Sequence, residues 1–168
     1  MDPTPLLSSK SRLAAALLLL GAMAGPAHAL DATQRQVYAR ALADNDAGRF
    51  GSAGMASAYP APGGDAVADA VVQWDRLRRD AYPASFFELA AFLRSHRGWP
   101  AEATLRSRAE RAITASTPMA DRIGFFQAFP PQSGDAKFRY AEALLGSGRS
   151  AEARALVREA WTRGALSS

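Results

Sequence analysis

The sequence predicts an all-α fold in which antiparallel helix pairs stack as the start of an α-superhelix, or solenoid. Two observations carry that prediction. The last stretch of the chain reads as two short helices, each apolar along one face, joined by Gly146-Ser147-Gly148-Arg149-Ser150. Helices this short and this tightly linked pack antiparallel, and neither can bury both of its sides alone, so the pair needs a neighbour. Upstream, apolar residues recur at helical spacing between capping residues and Pro or Gly stops.

The first residues set the compartment. Lys10 and Arg12 precede the apolar run Leu13 to Leu20, which continues through Met23 and Ala24 and breaks at Gly25-Pro26. Ala27-His28-Ala29 then has the small-x-small pattern of a cleavage site, so residues 1–29 read as a signal peptide and the mature chain as 30–168, placed in the periplasm. The run is shorter than the roughly 20 residues of a spanning helix, and no stable membrane span is expected after cleavage. The mature part suits one domain with a limited core. The whole chain carries a net charge of +4 and no cysteine. Packing rather than disulfides must therefore stabilise it. Arginines are interspersed with acids along the helices instead of forming one basic stripe, which argues against nucleic acid as a partner.

The elements follow in order. Asp31 caps a helix from Ala32 to about Asn45, with Val37, Tyr38, Ala41 and Leu42 on its apolar side. Residues 46–64, rich in Gly and Pro, read as a long loop with a helical turn near Met55 to Tyr59. Asp65 caps the next helix, where Val67, Val71, Trp74 and Leu77 recur before Tyr82-Pro83 stops it. Arg76, Arg78, Arg79 and Asp80 are expected on its solvated face. Ser85-Phe86-Phe87-Glu88 has capping-box spacing ahead of Leu89, Ala90, Ala91, Phe92 and Leu93, and Gly98 is expected to end that helix.

Trp99-Pro100 opens another helix, since proline fits an early helical position. Leu105, Ala109, Ala112 and Ile113 are its buried side, with Glu102, Arg106, Arg108, Glu110 and Arg111 toward solvent and Glu102 four residues from Arg106. Thr117-Pro118 starts a helix from Met119 to about Phe129, whose Ile123, Phe125, Phe126 and Phe129 spread over more than one stripe, before Phe129-Pro130-Pro131 forces an extended connection. Asp135 starts the first helix of the final pair, carrying Phe138, Ala141, Leu144 and Leu145. Ser150 caps the second, with Ala153, Leu156, Val157, Ala160 and Trp161 inward and Gly164 at its end. Ser167-Ser168 can cap a further helix, so the scaffold domain is expected to be incomplete at its C-terminus; a frayed terminus is the competing reading.

A search for chemistry assigns no catalytic, cofactor-binding or metal-binding residue. His96 is the only histidine of the mature chain and reads as a polar residue near a helix C-terminus, so a multi-histidine metal site is excluded. Asp44, Asp46, Asp65 and Asp69 match no calcium-loop spacing and read as caps and solvated faces. The serines lack a nucleophile-elbow context. Gly51-Ser52-Ala53-Gly54 lacks the lysine of a phosphate loop, and Gly63-Gly64 follows no predicted strand. Glu88 is committed to capping, while Glu142, Glu152 and Glu159 sit on polar faces, without the apolar pocket that would raise a glycosidase acid's pKa.

One stretch carries a resemblance. Ser85-Phe86-Phe87-Glu88-Leu89-Ala90-Ala91-Phe92-Leu93-Arg94-Ser95-His96-Arg97-Gly98-Trp99-Pro100 resembles the N-terminal helical region of soluble lytic murein transglycosylases, alphaproteobacterial members in particular. The likeness continues through Leu105-Arg106-Ser107-Arg108-Ala109-Glu110, Phe125-Phe126-Gln127-Ala128-Phe129-Pro130-Pro131, Phe138 to Arg149, and Arg158-Glu159-Ala160-Trp161. It implies a U- or ring-shaped helical array preceding a lysozyme-like domain that cleaves peptidoglycan glycan strands and leaves 1,6-anhydromuramoyl ends. The family's catalytic glutamate belongs to that later domain, and no residue here matches its motif. The resemblance therefore implies a non-catalytic scaffold segment whose partners are peptidoglycan glycan strands or the absent catalytic domain. A tetratricopeptide-like periplasmic module with a protein partner is the alternative that the final helix pair suggests.

Overall fold

A computed structural model describes residues 29–50 and 64–164. The expected leader, the Gly51 to Gly54 segment, the helical turn near 55–59 and the terminal serines lie outside the described residues. Seven α-helices and no strand occur among those described: α1 Ala32–Asp46, α2 Ala66–Leu77, α3 Phe86–Ser95, α4 Glu102–Ala112, α5 Met119–Ala128, α6 Gly134–Gly146 and α7 Ser150–Gly164. The fold is all-α. The closest packing is between consecutive helices, α1 with α2, α3 with α4, α5 with α6, and α6 with α7.

Capping residues set most of the boundaries. Asp31 and Ser85 each form a capping box, with Gln34 and Glu88 reaching back to the cap amide, and Asp65 accepts from the amides of Val67 and Ala68. Four starts and stops differ from expectation. α3 ends at His96, not at Gly98, and Gly98 instead takes φ +78 in the turn that follows. α4 begins after Ala101, so Pro100 stays in the turn, where its carbonyl accepts from the Trp74 indole at 2.7 Å. Ala101 is left at φ 60, a left-handed conformation that costs an L-residue about 1–2 kcal/mol and is held by this tertiary contact. In α6 the cap is Ser133, whose hydroxyl accepts from Ala136, and Asp135 lies in the first turn and pairs with Arg139 at 2.8 Å. Ser150 is the first helical residue of α7, not its cap.

The main core gathers residues from α2 to α6. Leu77, Phe86, Leu89, Phe92, Leu93, Leu105, Ile113, Phe125, Phe126 and Phe129 are all buried in it. Each large side chain removed from water contributes roughly 1.5–3 kcal/mol. Phe125 meets Phe86 of α3 with ring centroids 5.4 Å apart and Phe126 meets Tyr140 of α6 at 5.1 Å, so α5 does contact neighbours on two sides. Two smaller clusters flank this centre: Tyr38, Ala41 and Val72 between α1 and α2, and Ala141, Leu144 and Ala153 between α6 and α7.

Several side chains sit opposite to expectation. Val67 on α2 and Phe138 and Leu145 on α6 are exposed, as is Val157 on α7, and Trp161 is 76% exposed. In the final pair the small residues Ala141 and Ala153 make the close contact, which turns the bulkier neighbours outward. Conversely Arg76, Arg108 and Glu110, expected in solvent, are buried. Glu102 accepts from the Gly98 amide at 2.7 Å, while Arg106 donates to the Pro130 carbonyl at 2.6 Å, so the two are occupied away from each other.

The α1–α2 junction turns on Asp75, which is fully buried. Its carboxylate accepts from Asn45 Nδ2 at 3.2 Å, from Arg78 at 2.6 Å and from Arg79 at 2.8 Å, and Arg79 also reaches Asp46 on α1. Four charged or amide groups thus converge where two helices meet, and removing the central acceptor leaves their donors without it. Asp75→Ala is expected to destabilise the protein by about 2–3 kcal/mol, less than a wholly enclosed ion pair because both arginines can still reach water. Asp44→Ala, which removes the exposed pair with Arg49, should change stability by less than about 1 kcal/mol. Urea unfolding at neutral pH measures both, and equal effects would count against the Asp75 junction.

Candidate functional site

The connector between α2 and α3 holds the most unusual chemistry of the described residues, centred on Tyr82. Pro83 biases Tyr82 toward extended backbone and turns the chain away from the helix. The Tyr82 ring is buried against Phe50, at a centroid distance of 5.2 Å, and beneath the Arg76 guanidinium at 4.9 Å. Its hydroxyl donates to Glu88 Oε1 at 2.7 Å. Its carbonyl accepts from Arg108 Nη2 at 2.6 Å, which ties the connector to α4.

Beside that bond runs an open groove of about 370 Å³, lined by Asp80, Tyr82, Pro83, Ala84, Leu89, Arg108, Arg111 and Ala112. The Arg108 side chain is 8% exposed, whereas that of Asp80, whose Oδ1 stands 3.6 Å from Arg108 Nη1, is 95% exposed. Nη1 is buried and makes no hydrogen bond. Burial pulls the Arg108 pKa below the ordinary guanidinium range; Asp80 opposes that pull and Arg111 adds to it. Arginine remains charged under these conditions, so the groove presents a buried cation with a second cation, Arg111, one turn along α4. Such an arrangement can hold an anion. The Tyr82 hydroxyl is already turned to Glu88, and Asp80 is the one carboxylate among the lining groups.

Burial pushes the Glu88 carboxyl up, but the Ser85 amide, the Tyr82 and Ser85 hydroxyls and the Arg76 charge outweigh it and hold the group below the usual carboxylate range. A glutamate so held is an anion cap, not a proton donor. Glu142 pairs with Arg122, Glu152 with Arg149 and Glu159 with Lys137. Asp44 and Asp46 pair with Arg49 and Arg79, and Asp69 accepts from the Tyr38 hydroxyl at 2.8 Å. His96 stacks on Phe92 at 4.3 Å and meets the edge of Trp99, an aromatic contact at the end of α3. Among the described residues no group of three or more His, Cys, Asp or Glu could hold a metal ion, and no helix is long and apolar enough to cross a membrane.

Sequence reading did not find this groove because it assigned Arg108 to solvent. A signal was present: Arg108 lies three residues from the core residue Leu105 and four from Ala112, on one helical face with them. Comparison with protein-family models, with characterised proteins and with solved structures finds no match to this chain.

Tyr82 makes the connector sensitive to alkali. Burial, and then the hydrogen bond to Glu88, push its phenol up to about 12 from 10.0, against the pull of Arg76. The folded state therefore holds this proton more tightly than the unfolded chain, so the resulting stabilisation is complete below pH 10 and is lost as pH rises toward 12. Tyr38 is raised in the same direction, first by burial. Tyr82→Phe should flatten, without abolishing, the fall in stability across that window. Denaturant unfolding measured at successive alkaline pH values checks this, and an unchanged slope would exclude Tyr82 as a major contributor.

Proposed function

We propose that this chain is a non-catalytic N-terminal helical scaffold segment of a periplasmic lytic transglycosylase that acts on peptidoglycan. Residues 1–29 direct export in this reading, and the helix pairs extend as an α-superhelix that restrains a glycan strand or supports a catalytic domain. One observation favours it above the others. The segments that resemble the family, Ser85 to Leu93, Leu105 to Glu110 and Phe125 to Phe129, supply most of the main core, in the same order along the chain.

The acids support a scaffold over a hydrolase. Glu88 is held as a cap, and the buried Glu110 accepts from the Gln132 amide at 2.7 Å and from the Ser133 hydroxyl at 3.3 Å. Neither is placed to protonate a glycosidic oxygen, a role that needs a carboxyl with a raised pKa facing a sugar-sized cleft.

A tetratricopeptide-like interaction module is the second reading, favoured by the close α6–α7 hairpin and by the exposed Val157 and Trp161. Co-sedimentation separates the two. Under the scaffold reading the exported chain pellets with purified peptidoglycan sacculi and releases no anhydromuramoyl product. Release of that product would overturn the non-catalytic assignment, whereas a chain that stays soluble with sacculi and retains a specific periplasmic protein would favour the interaction module.

A further inference from the structure

We propose that the groove beside Tyr82 binds the free C-terminal carboxylate of a short peptide ending in a small aliphatic residue, with Arg108 and Arg111 as its anion contacts. This rests on the groove's own geometry and does not require the peptidoglycan reading.

A guanidinium carries five N–H donors in a fixed fork. Arg108 uses Nη2 on the Tyr82 carbonyl at 2.6 Å, while Nη1 is buried and makes no hydrogen bond. Leaving such a donor unmade is unfavourable, and a charged acceptor gains most from it. Asp80 comes closest, at 3.6 Å, which is beyond hydrogen-bond distance, and its side chain is nearly all in water. It is free to swing aside, and an arriving carboxylate can take its place. Arg111 donates to the Ser107 hydroxyl at 2.9 Å through Nη1 and lines the same groove.

The remaining walls choose the rest of the ligand. Most of the exposed lining is polar, but Pro83, Ala84 and Ala112, with Leu89 buried behind them, form one apolar side that leaves room for a short aliphatic group beside the anion contacts. Asp80 at the rim selects by charge as well. Its carboxylate repels a phosphate dianion more than a carboxylate monoanion. The volume of about 370 Å³ suits one or two small residues.

The test is titration of the full chain with N-acetyl-alanyl-alanine, with its C-terminal amide and with inorganic phosphate, followed by NMR chemical shifts. Saturable shifts centred on Ala84 and Ala112 are expected for the acid, with at least tenfold weaker binding of the amide and of phosphate. Arg108→Lys can disturb the fold through the Tyr82 carbonyl, so two solvent-accessible changes carry the test. Arg111→Gln should weaken binding of the acid about tenfold, and Asp80→Asn should strengthen it, with helical circular dichroism unchanged in both. Equal binding of acid and amide, phosphate binding as tight as the acid, no saturation with the acid, or indifference to both substitutions would each overturn the proposal.

Discussion

Short helices joined by frequent turns leave many carbonyls outside any helical ladder, and arginine side chains take up those carbonyls throughout this fold. Arg108 holds Tyr82, Arg106 holds Pro130, Arg122 holds Thr117 and Ala115, and Arg139 holds Ile113. Three of these bonds link positions more than twenty residues apart, so each fixes the path of a connector against a helix it does not adjoin in sequence. A carbonyl accepting from a charged donor in a buried setting gains roughly 1.5–3 kcal/mol, comparable with burying a large apolar side chain. Part of the arginine content is therefore structural. It orders the connectors, while Arg40, Arg94, Arg97, Arg154 and Arg158 remain exposed.

The same arithmetic separates the centre of the molecule from its flanks. From α2 to α6 the phenylalanines and leucines supply a continuous apolar core, and the arginine bonds refine an arrangement that burial already favours. At α1 the apolar contribution shrinks to Tyr38, Ala41 and Val72, and attachment passes to polar groups: Asn45 and Asp46 meeting the Asp75–Arg79 cluster, and the Tyr38 hydroxyl meeting Asp69. At α7 a single side chain, Ala153, is fully withdrawn among the described residues, with Lys137 and Glu159 paired alongside. Regions with few buried apolar contacts open at lower free energy than the core. The two flanking helices are accordingly the elements most easily parted from the rest.

The helix order was legible because caps are local chemistry. Asp31, Asp65 and Ser85 satisfy amides two or three residues away, and nothing distant is needed to recognise them. The rotation of each helix was less legible, because periodicity gives an apolar face without saying which neighbour meets it. Phe138 and Trp161 lie outward because the α6–α7 contact is made by Ala141, Leu144 and Ala153, and the small volume of the two alanines permits the approach. Buried charge was the hardest to read. Arg76, Asp75 and Glu110 look like solvated residues on a helical wheel, yet each is retained in the interior by partners that sequence distance conceals. For the groove, the spacing of Leu105, Arg108 and Ala112 held the clue, but the Tyr82 carbonyl that draws Arg108 inward lies twenty-six residues upstream.

The groove follows from that manner of holding connectors. Arg79 fills its fork with both oxygens of Asp75 and one of Asp46, and Arg122 fills its own with two carbonyls and Glu142. Arg108 meets a connector whose next residues are Pro83 and Ala84, neither with a side chain that could accept from it. One branch of its fork is satisfied by the Tyr82 carbonyl, and the other faces only the solvent-exposed Asp80 carboxylate at 3.6 Å, without a hydrogen bond. Because proline and alanine also leave the wall shallow, the unmet donor lies at the side of an open depression instead of in a closed core. A structural bond made for the connector's sake thus creates a polarised recess with one apolar side, and charge with shape in one place is what a small anionic ligand requires.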